Sequence, residues 1–154
     1  MDIVSFLEKE HCSFERVPHR PTYSAQRLAQ ALHVKGAEVA KTVLLRADDD
    51  SKFVVAVLPA SKNIDLQAAS RLLGGARLHL ATEIEIGARC PDCEFGVLPP
   101  FGSRYGIRTI VDASMAEDEE IFFAAKSHSE AIRMTFEDYR ELEEPLIGPF
   151  AISE

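Results

Sequence analysis

Hydrophobic positions near the start of the chain fall at helical spacing. Ile3, Phe6 and Leu7 follow Asp2, a good N-cap, and predict a short amphipathic helix. "SFERVPH" alternates Phe14 and Arg16 with Glu15 and Val17, which predicts a brief strand ended by Pro18. After the polar loop "HRPTY", Ser24 can cap a helix through about Leu32. Its inner face would carry Ala25, Leu28, Ala29 and Leu32, with Gly36 just beyond its end.

The next stretch, "GAEVAKTVLLRADDDSKFVVAVLPA", predicts two strands, 39–47 and 52–59, around a polar turn of Asp48, Asp49, Asp50 and Ser51. So short a turn requires antiparallel pairing, which argues against a doubly wound parallel sheet. Successive strand side chains point to opposite faces, so Lys41 shares a face with Val43 and Leu45 while Thr42, Leu44 and Arg46 take the other. An ammonium group on an apolar face is either a rim residue with a snorkelling head or a cleft residue that can hold an anion.

Asp65 opens a predicted helix through Leu66, Ala69, Leu72 and Leu73 that stops at Gly74-Gly75, and "ARLHLA" predicts a strand. Thr82 can cap the short helix "EIEIGA". Pro91, Gly96, Pro99, Pro100, Gly102 and Gly106 then mark a long loop, whose apolar Phe95, Val97, Leu98 and Phe101 favour order. "IRTIVDA", "EIFFAA" and "AIRMT" are predicted strands, and Thr135 with Asp138 opens a last helix in capping-box register. The whole predicts one domain over 1–154, α+β, with a mixed, mostly antiparallel, partly barrel-like sheet flanked by short helices.

Composition adds limits. An apolar fraction of 46% over 154 residues is ordinary for one globular core. No stretch reads as a signal peptide or membrane span, and three cysteines suit a reducing compartment, so a cytoplasmic location is expected. A net charge of -8 argues against general adhesion to DNA or to a membrane. The charge is unevenly divided: residues 1–47 carry seven Lys/Arg against five Asp/Glu.

Little standard chemistry is visible. Cys90 and Cys93 lack the further ligands that structural zinc needs, and Gly96, Pro99 and Pro100 follow too closely for a helix to lower a thiol pKa. Both are expected to be ordinary loop cysteines, with oxidation to a bridge in air left open. No nucleophile elbow, phosphate loop or dinucleotide fingerprint is present, so neither a metal nor a cofactor is expected. His19 and His128 stand out from five histidines because each lies in a polar loop at a strand edge.

Taken in order, "HRPTYSAQRLAQAL", "VAKTVLLR", "VVAVLPASKNIDL", "FGVLPPFG", "TIVDAS" and "EIFFAAKSHSEAIRMTFEDYREL" resemble the YbaK family, the free-standing relatives of the editing domain of bacterial prolyl-tRNA synthetases. The resemblance covers nearly the whole chain. It implies metal-free hydrolysis, in trans, of the ester in mischarged aminoacyl-tRNA, with Ala-, Ser- or Cys-charged species as substrates. The implied partners are the acceptor end and a synthetase.

By the same resemblance Lys41 corresponds to an essential lysine, and Thr22 and Tyr23 to a polar loop lining the pocket. Gly96 with Pro99 and Pro100, continuing through Phe101 and Gly102, corresponds to a loop that sets backbone N–H groups by the substrate. Ser127 and His128 correspond to a turn closing the pocket, so Lys41, Gly96 and His128 become the catalytic candidates. Here "AKSHS" stands where many members have a glycine-rich turn. The alternative from another class is a non-catalytic module that binds an aminoacyl or nucleotide-like ligand or docks on a synthetase.

Overall fold

The computed structural model describes residues 2–47, 52–91, 93–94 and 97–153. The expected turn at 48–51 and the candidate Gly96 lie outside the described residues.

Local signals set the elements. α1 (Ile3–Lys9) starts where the Asp2 carboxylate accepts the Ser5 N–H at 2.9 Å, and it buries Ile3, Val4 and Leu7. β1 (Glu15–Pro18) precedes α2 (Ala25–Leu32), whose N-cap Ser24 accepts the Arg27 N–H. α2 ends on His33 in the left-handed region (φ 58°), not on a glycine; Gly36 instead begins a 3-10 turn, Gly36–Glu38. β2 (Ala40–Ala47) and β3 (Lys52–Pro59) pair antiparallel from Ala40↔Pro59 to Ala47↔Lys52.

β4 (Lys62–Ile64), α3 (Leu66–Leu72), β5 (Leu78–Leu80) and α4 (Glu83–Arg89) follow. The capping box expected at Thr82 and Glu85 is formed in full. Beyond a 3-10 turn at Gly102–Tyr105 come β6 (Arg108–Asp112), a further 3-10 turn (Ala113–Glu117), β7 (Glu120–Ser127), β8 (Glu130–Thr135) and α5 (Phe136–Glu143). β9 (Leu146–Gly148) and β10 (Ala151–Ser153) complete the chain.

Among the described residues the strands form three sheets. The largest has the order β5-β2-β3-β6-β9, antiparallel as far as β3 and parallel from β3 to β6 and from β6 to β9. β1, β8 and β7 make an antiparallel sheet, β10 pairs with β4, and a bridge from Val39 to Phe122 ties the β2 entry to β7. The fold is mixed α+β, as expected, and the sheets do not close into a barrel.

The large sheet is covered on both faces. Leu44, Val55, Val57 and Val111 pack with Phe101, Phe123 and Tyr139, while Leu45, Val54, Ala56, Leu58 and Ile110 pack with Ala69 of α3 and Phe150. Two-sided cover explains why β3 is apolar almost throughout and does not alternate. A third cluster joins Leu28 and Ala29 of α2 to Val39, Phe122 and Ala131.

Two buried carboxylates tie loops to this frame. Asp112 accepts the Phe150 and Ala151 N–H groups, both at 2.8 Å, together with the N–H and hydroxyl of Ser114. Glu143 accepts the Ser103 N–H at 3.0 Å and the hydroxyls of Ser103 and Thr109. Cys90, at the end of α4, is bonded to Cys93 in a disulfide. The bridge is the outcome the sequence left open beside two plain loop cysteines, and it removes the thiol count as an argument for a reducing compartment. No helix is long and apolar enough to cross a membrane among the described residues.

Candidate functional site

A cavity of about 110 Å³ opens where α2, β2, β7 and the chain before Pro99 meet. Its polar wall is Thr22, Tyr23, Ser24, Lys41, Thr42 and His128; its apolar wall is Ala25, Leu28, Ala40, Val97, Leu98 and Ala124.

Backbone pairing builds the polar side. β1 and β8 pair from Glu15↔Arg133 to Pro18↔Glu130, which brings the loop after Pro18 beside the turn between β7 and β8. Those two loops are then bonded directly. Thr22 N–H donates to the His128 carbonyl at 2.8 Å, and His128 Nδ1 lies 3.0 Å from the Thr22 carbonyl oxygen. The Tyr23 ring rests on the imidazole with centroids 4.6 Å apart. From the other side the His128 N–H donates to Glu94 Oε2 at 3.1 Å, and the Glu94 N–H donates to the Lys126 carbonyl at 2.7 Å. His128 is therefore fixed by two chain segments, and the disulfide-bridged Cys93 immediately precedes one of them.

Lys41 stands at the start of β2, half-buried, and its ammonium donates to the Lys62 carbonyl of β4. It shares its strand face with Val43 and Leu45, which pack toward α3, as alternation predicts. β2 meets the cavity at its first three residues, so Ala40, Lys41 and Thr42 all line it although alternation sends neighbours to opposite faces. A lysine here sets a compact positive charge at the edge of a space with one polar and one apolar side, its ammonium held by the Lys62 carbonyl, and such a charge suits an anion or a developing oxyanion.

The structure thus gathers Lys41, His128, Thr22 and Tyr23 around one space. It places the other described candidates elsewhere. Pro99, Pro100, Phe101 and Gly102 are buried beside the cavity rather than in its wall; the Pro100 carbonyl accepts the Tyr139 hydroxyl at 2.6 Å, and the Gly102 N–H donates to Thr109 Oγ1 at 2.9 Å. Ser127 turns to Ser129, whose N–H donates to its hydroxyl. Val97 and Leu98 of the long loop line the cavity, whereas Phe53 of β3 packs under the Arg89 guanidinium at 4.4 Å and Leu58 is in the core. Ser24, Thr42 and Ala124 were missed: a helix cap, a strand threonine and a strand alanine carry no signal of chemistry. Among the described residues no three His, Cys, Asp or Glu side chains gather as a metal site.

The aminoacyl-tRNA editing domain family matches this chain over residues 19–142, a span that contains every residue of the cavity wall. No curated protein sequence matches the chain. The fold is similar to that of hypothetical protein APE2540, with a TM-score of 0.88 at 15% identity over 97% of this chain and 99% of that one. It is similar also to a proposed trans-editing enzyme for prolyl tRNA synthetase, with a TM-score of 0.83 at 20% identity over 99% of this chain and 94% of that one. A proposed signal transduction protein from Marinobacter aquaeolei VT8 holds the same fold within a longer chain, with a TM-score of 0.66 at 22% identity over 88% of this chain and 28% of that one.

Proposed function

This chain belongs to the aminoacyl-tRNA editing domain family, and from that premise we propose that it is a hydrolase that removes a small amino acid from mischarged tRNA in trans. The observation that carries the substrate class is the cavity. At about 110 Å³ it is smaller than the cavity of about 150 Å³ that holds benzene in another protein. Alanine, serine or cysteine would fit such a space and an aromatic side chain would not. A synthetase pocket rejects a slightly smaller amino acid by only about 1–3 kcal/mol, so a second sieve closed to larger groups has a clear use.

Ester hydrolysis needs an attacking oxygen placed in line and positive charge where the oxyanion forms. In this proposal the acyl side chain lies against Leu28, Val97, Leu98 and Ala124, and the ester faces Lys41 and His128. Lys41 supplies charge to the terminal phosphate or the oxyanion. His128, held through its Nδ1 and its backbone, orients the attacking water or ribose hydroxyl. Backbone N–H groups near Gly96 are assigned to the oxyanion, following the family resemblance. No metal enters the scheme, and a synthetase is the expected source of the substrate.

The test is deacylation of Ala-, Ser- and Cys-charged tRNA, with buffer and Lys41→Ala as comparisons. We expect the wild type to release at least one amino acid well above the buffer rate, and Lys41→Ala to lower that rate about 10²–10³-fold, the range seen when one oxyanion donor is lost. Unaltered lifetimes of all three esters would sink the hydrolase proposal. Tight binding of an uncleavable aminoacyl-adenosine analogue without turnover would instead favour a binding module.

A further inference from the structure

The bridge between Cys90 and Cys93 lies just ahead of the chain that supplies Val97 and Leu98 to the cavity. Cys90 is anchored. It is 2% exposed within the main core cluster, its N–H donates to the Ile86 carbonyl at 3.1 Å, and the Tyr105 hydroxyl stands 3.1 Å from its Sγ. Cys93 is only partly buried. The bridge therefore joins a fixed, covered residue to a more accessible one.

Glu94 follows the bridge and carries the contact to His128. Its Oε2 accepts the His128 N–H at 3.1 Å and lies 3.9 Å from the imidazole Nε2, while its own N–H donates to the Lys126 carbonyl at 2.7 Å. The Glu94 side chain is half exposed, and a carboxylate contact of that kind on a free loop is worth little, because water competes for it. It fixes His128 only where the backbone beneath it is itself fixed. Downstream, Val97 and Leu98 are buried and the Val97 N–H donates to the Glu94 carbonyl at 3.0 Å. Upstream, the bridge ties the chain to the core, backed by the Cys93 N–H on the Cys90 carbonyl at 3.1 Å. Opening the bridge replaces a covalent tie on that side with a noncovalent turn.

We infer that Cys90 and Cys93 form a reversible thiol–disulfide exchange site for a dithiol reductant, whose closed state holds Glu94, and through it His128, and whose open state loosens both. A thiolate of the dithiol attacks Cys93 Sγ, the S–S bond breaks, and Cys90 leaves as a thiolate facing the Tyr105 hydroxyl before it takes up a proton. The second thiol of the reductant then attacks the mixed disulfide, releasing the Cys93 thiol and the reductant as its own disulfide. Two electrons and two protons pass to the protein, and a disulfide oxidant runs the sequence backward. Cys12, whose thiol pKa is raised by burial and by nearby Asp138, stays outside the exchange. Glu94 is a positioning residue, acting through His128. The inference rests on the proposed function only for what the site controls, since deacylation is where a displaced His128 would be read.

The full chain is oxidised with oxidised glutathione or reduced with dithiothreitol, and its thiols are counted by alkylation and mass. One thiol, Cys12, is expected in the first state and all three in the second. Amide hydrogen exchange is then followed by NMR in both states. We expect the Glu94 and His128 amides to exchange at least about tenfold faster after reduction, as a local opening requires, and those of Val55 and Val57 in β3 to be unchanged. Reduction should lower kcat about tenfold, inside the roughly hundredfold that a misplaced group can cost. The double variant C90S/C93S should behave as the reduced protein with or without dithiothreitol. Oxidised Glu94→Ala should match the reduced wild type, and reduction should slow it by no more than about twofold, because the two changes act through one contact. Three thiols after oxidised glutathione overturn the site, as do equal exchange of the two amides in both states, a deacylation rate indifferent to reduction, or an equal loss on reduction in wild type and Glu94→Ala. Redox-dependent exchange at both amides with no deacylation in either state leaves the site standing and removes the hydrolase proposal.

Discussion

At the scale of single residues, the informative ones are charged groups held away from water. Lys41 is legible from the sequence because an ammonium interrupts an apolar alternation, and the structure puts it in a cavity wall with its Nζ on the Lys62 carbonyl. Asp118 was not legible, since one acid among "AEDEE" looks solvated. Its Oδ2 is buried with no hydrogen-bond partner, and burial, with Glu38 and Glu117 nearby, raises its pKa from 3.8 to about 6. A carboxyl whose pKa rises on folding favours the native state while protonated. That contribution is complete below about pH 4 and is lost as pH rises through about 6. Asp118→Asn should therefore stabilise the protein by about 1 kcal/mol at pH 7.5, a value reduced for partial exposure, and by almost nothing at pH 4. Urea unfolding at the two pH values measures the difference, and an equal effect at both would contradict this account.

At the scale of elements, periodicity served wherever a segment was long enough to show a period. β2, β3, β7, β8 and α2 were all visible in the hydrophobic pattern, and α5 in its cap. β4, β9 and β10 were not, because three residues show no period; what fixes them is tertiary. β10 is reached through Asp112, whose Oδ1 accepts the Phe150 and Ala151 N–H groups. Burial alone would raise the Asp112 pKa, but the donors from Phe150, Ser114 and Ala151 outweigh it and hold the carboxyl below its ordinary 3.8. The stabilisation from this group is thus present above the unfolded value and lost as pH falls through the native one. Asp112→Ala would strand these donors, and we expect a cost of about 3 kcal/mol, consistent with one or two buried groups left unpaired. A denaturation midpoint unchanged within error would show that β10 is held by something else.

At the scale of the whole molecule, the family resemblance carried the fold from the sequence, and the alternation at Lys41 pointed to one wall of the site. The remaining walls come from residues bland in sequence, such as Ala25, Leu28, Ala40 and Ala124, which are cavity residues only because α2, β2 and β7 converge. The buried loop from Pro99 to Gly102 shows the converse. Its glycine and prolines were conspicuous, yet Gly102 is needed for close packing: a Cβ there would stand 2.6 Å from Thr109 Oγ1 and 2.7 Å from the Ile107 carbonyl oxygen.

The cavity wall is drawn from positions 22–28, 40–42, 97–98, 124 and 128, so no single segment carries a binding surface of its own. Whatever occupies it therefore binds the fully assembled chain and not its fragments, and occupancy is coupled to cooperative folding. By mass action an uncleavable analogue at one hundred times its dissociation constant should add about 2.7 kcal/mol to the unfolding free energy. A thermal scan would record this as a melting temperature that climbs with ligand concentration, identifying a preferred acyl group before any catalytic assay is run. The molecule would act as its own ligand sensor, with the four converging segments as the detector and the unfolding transition as the signal.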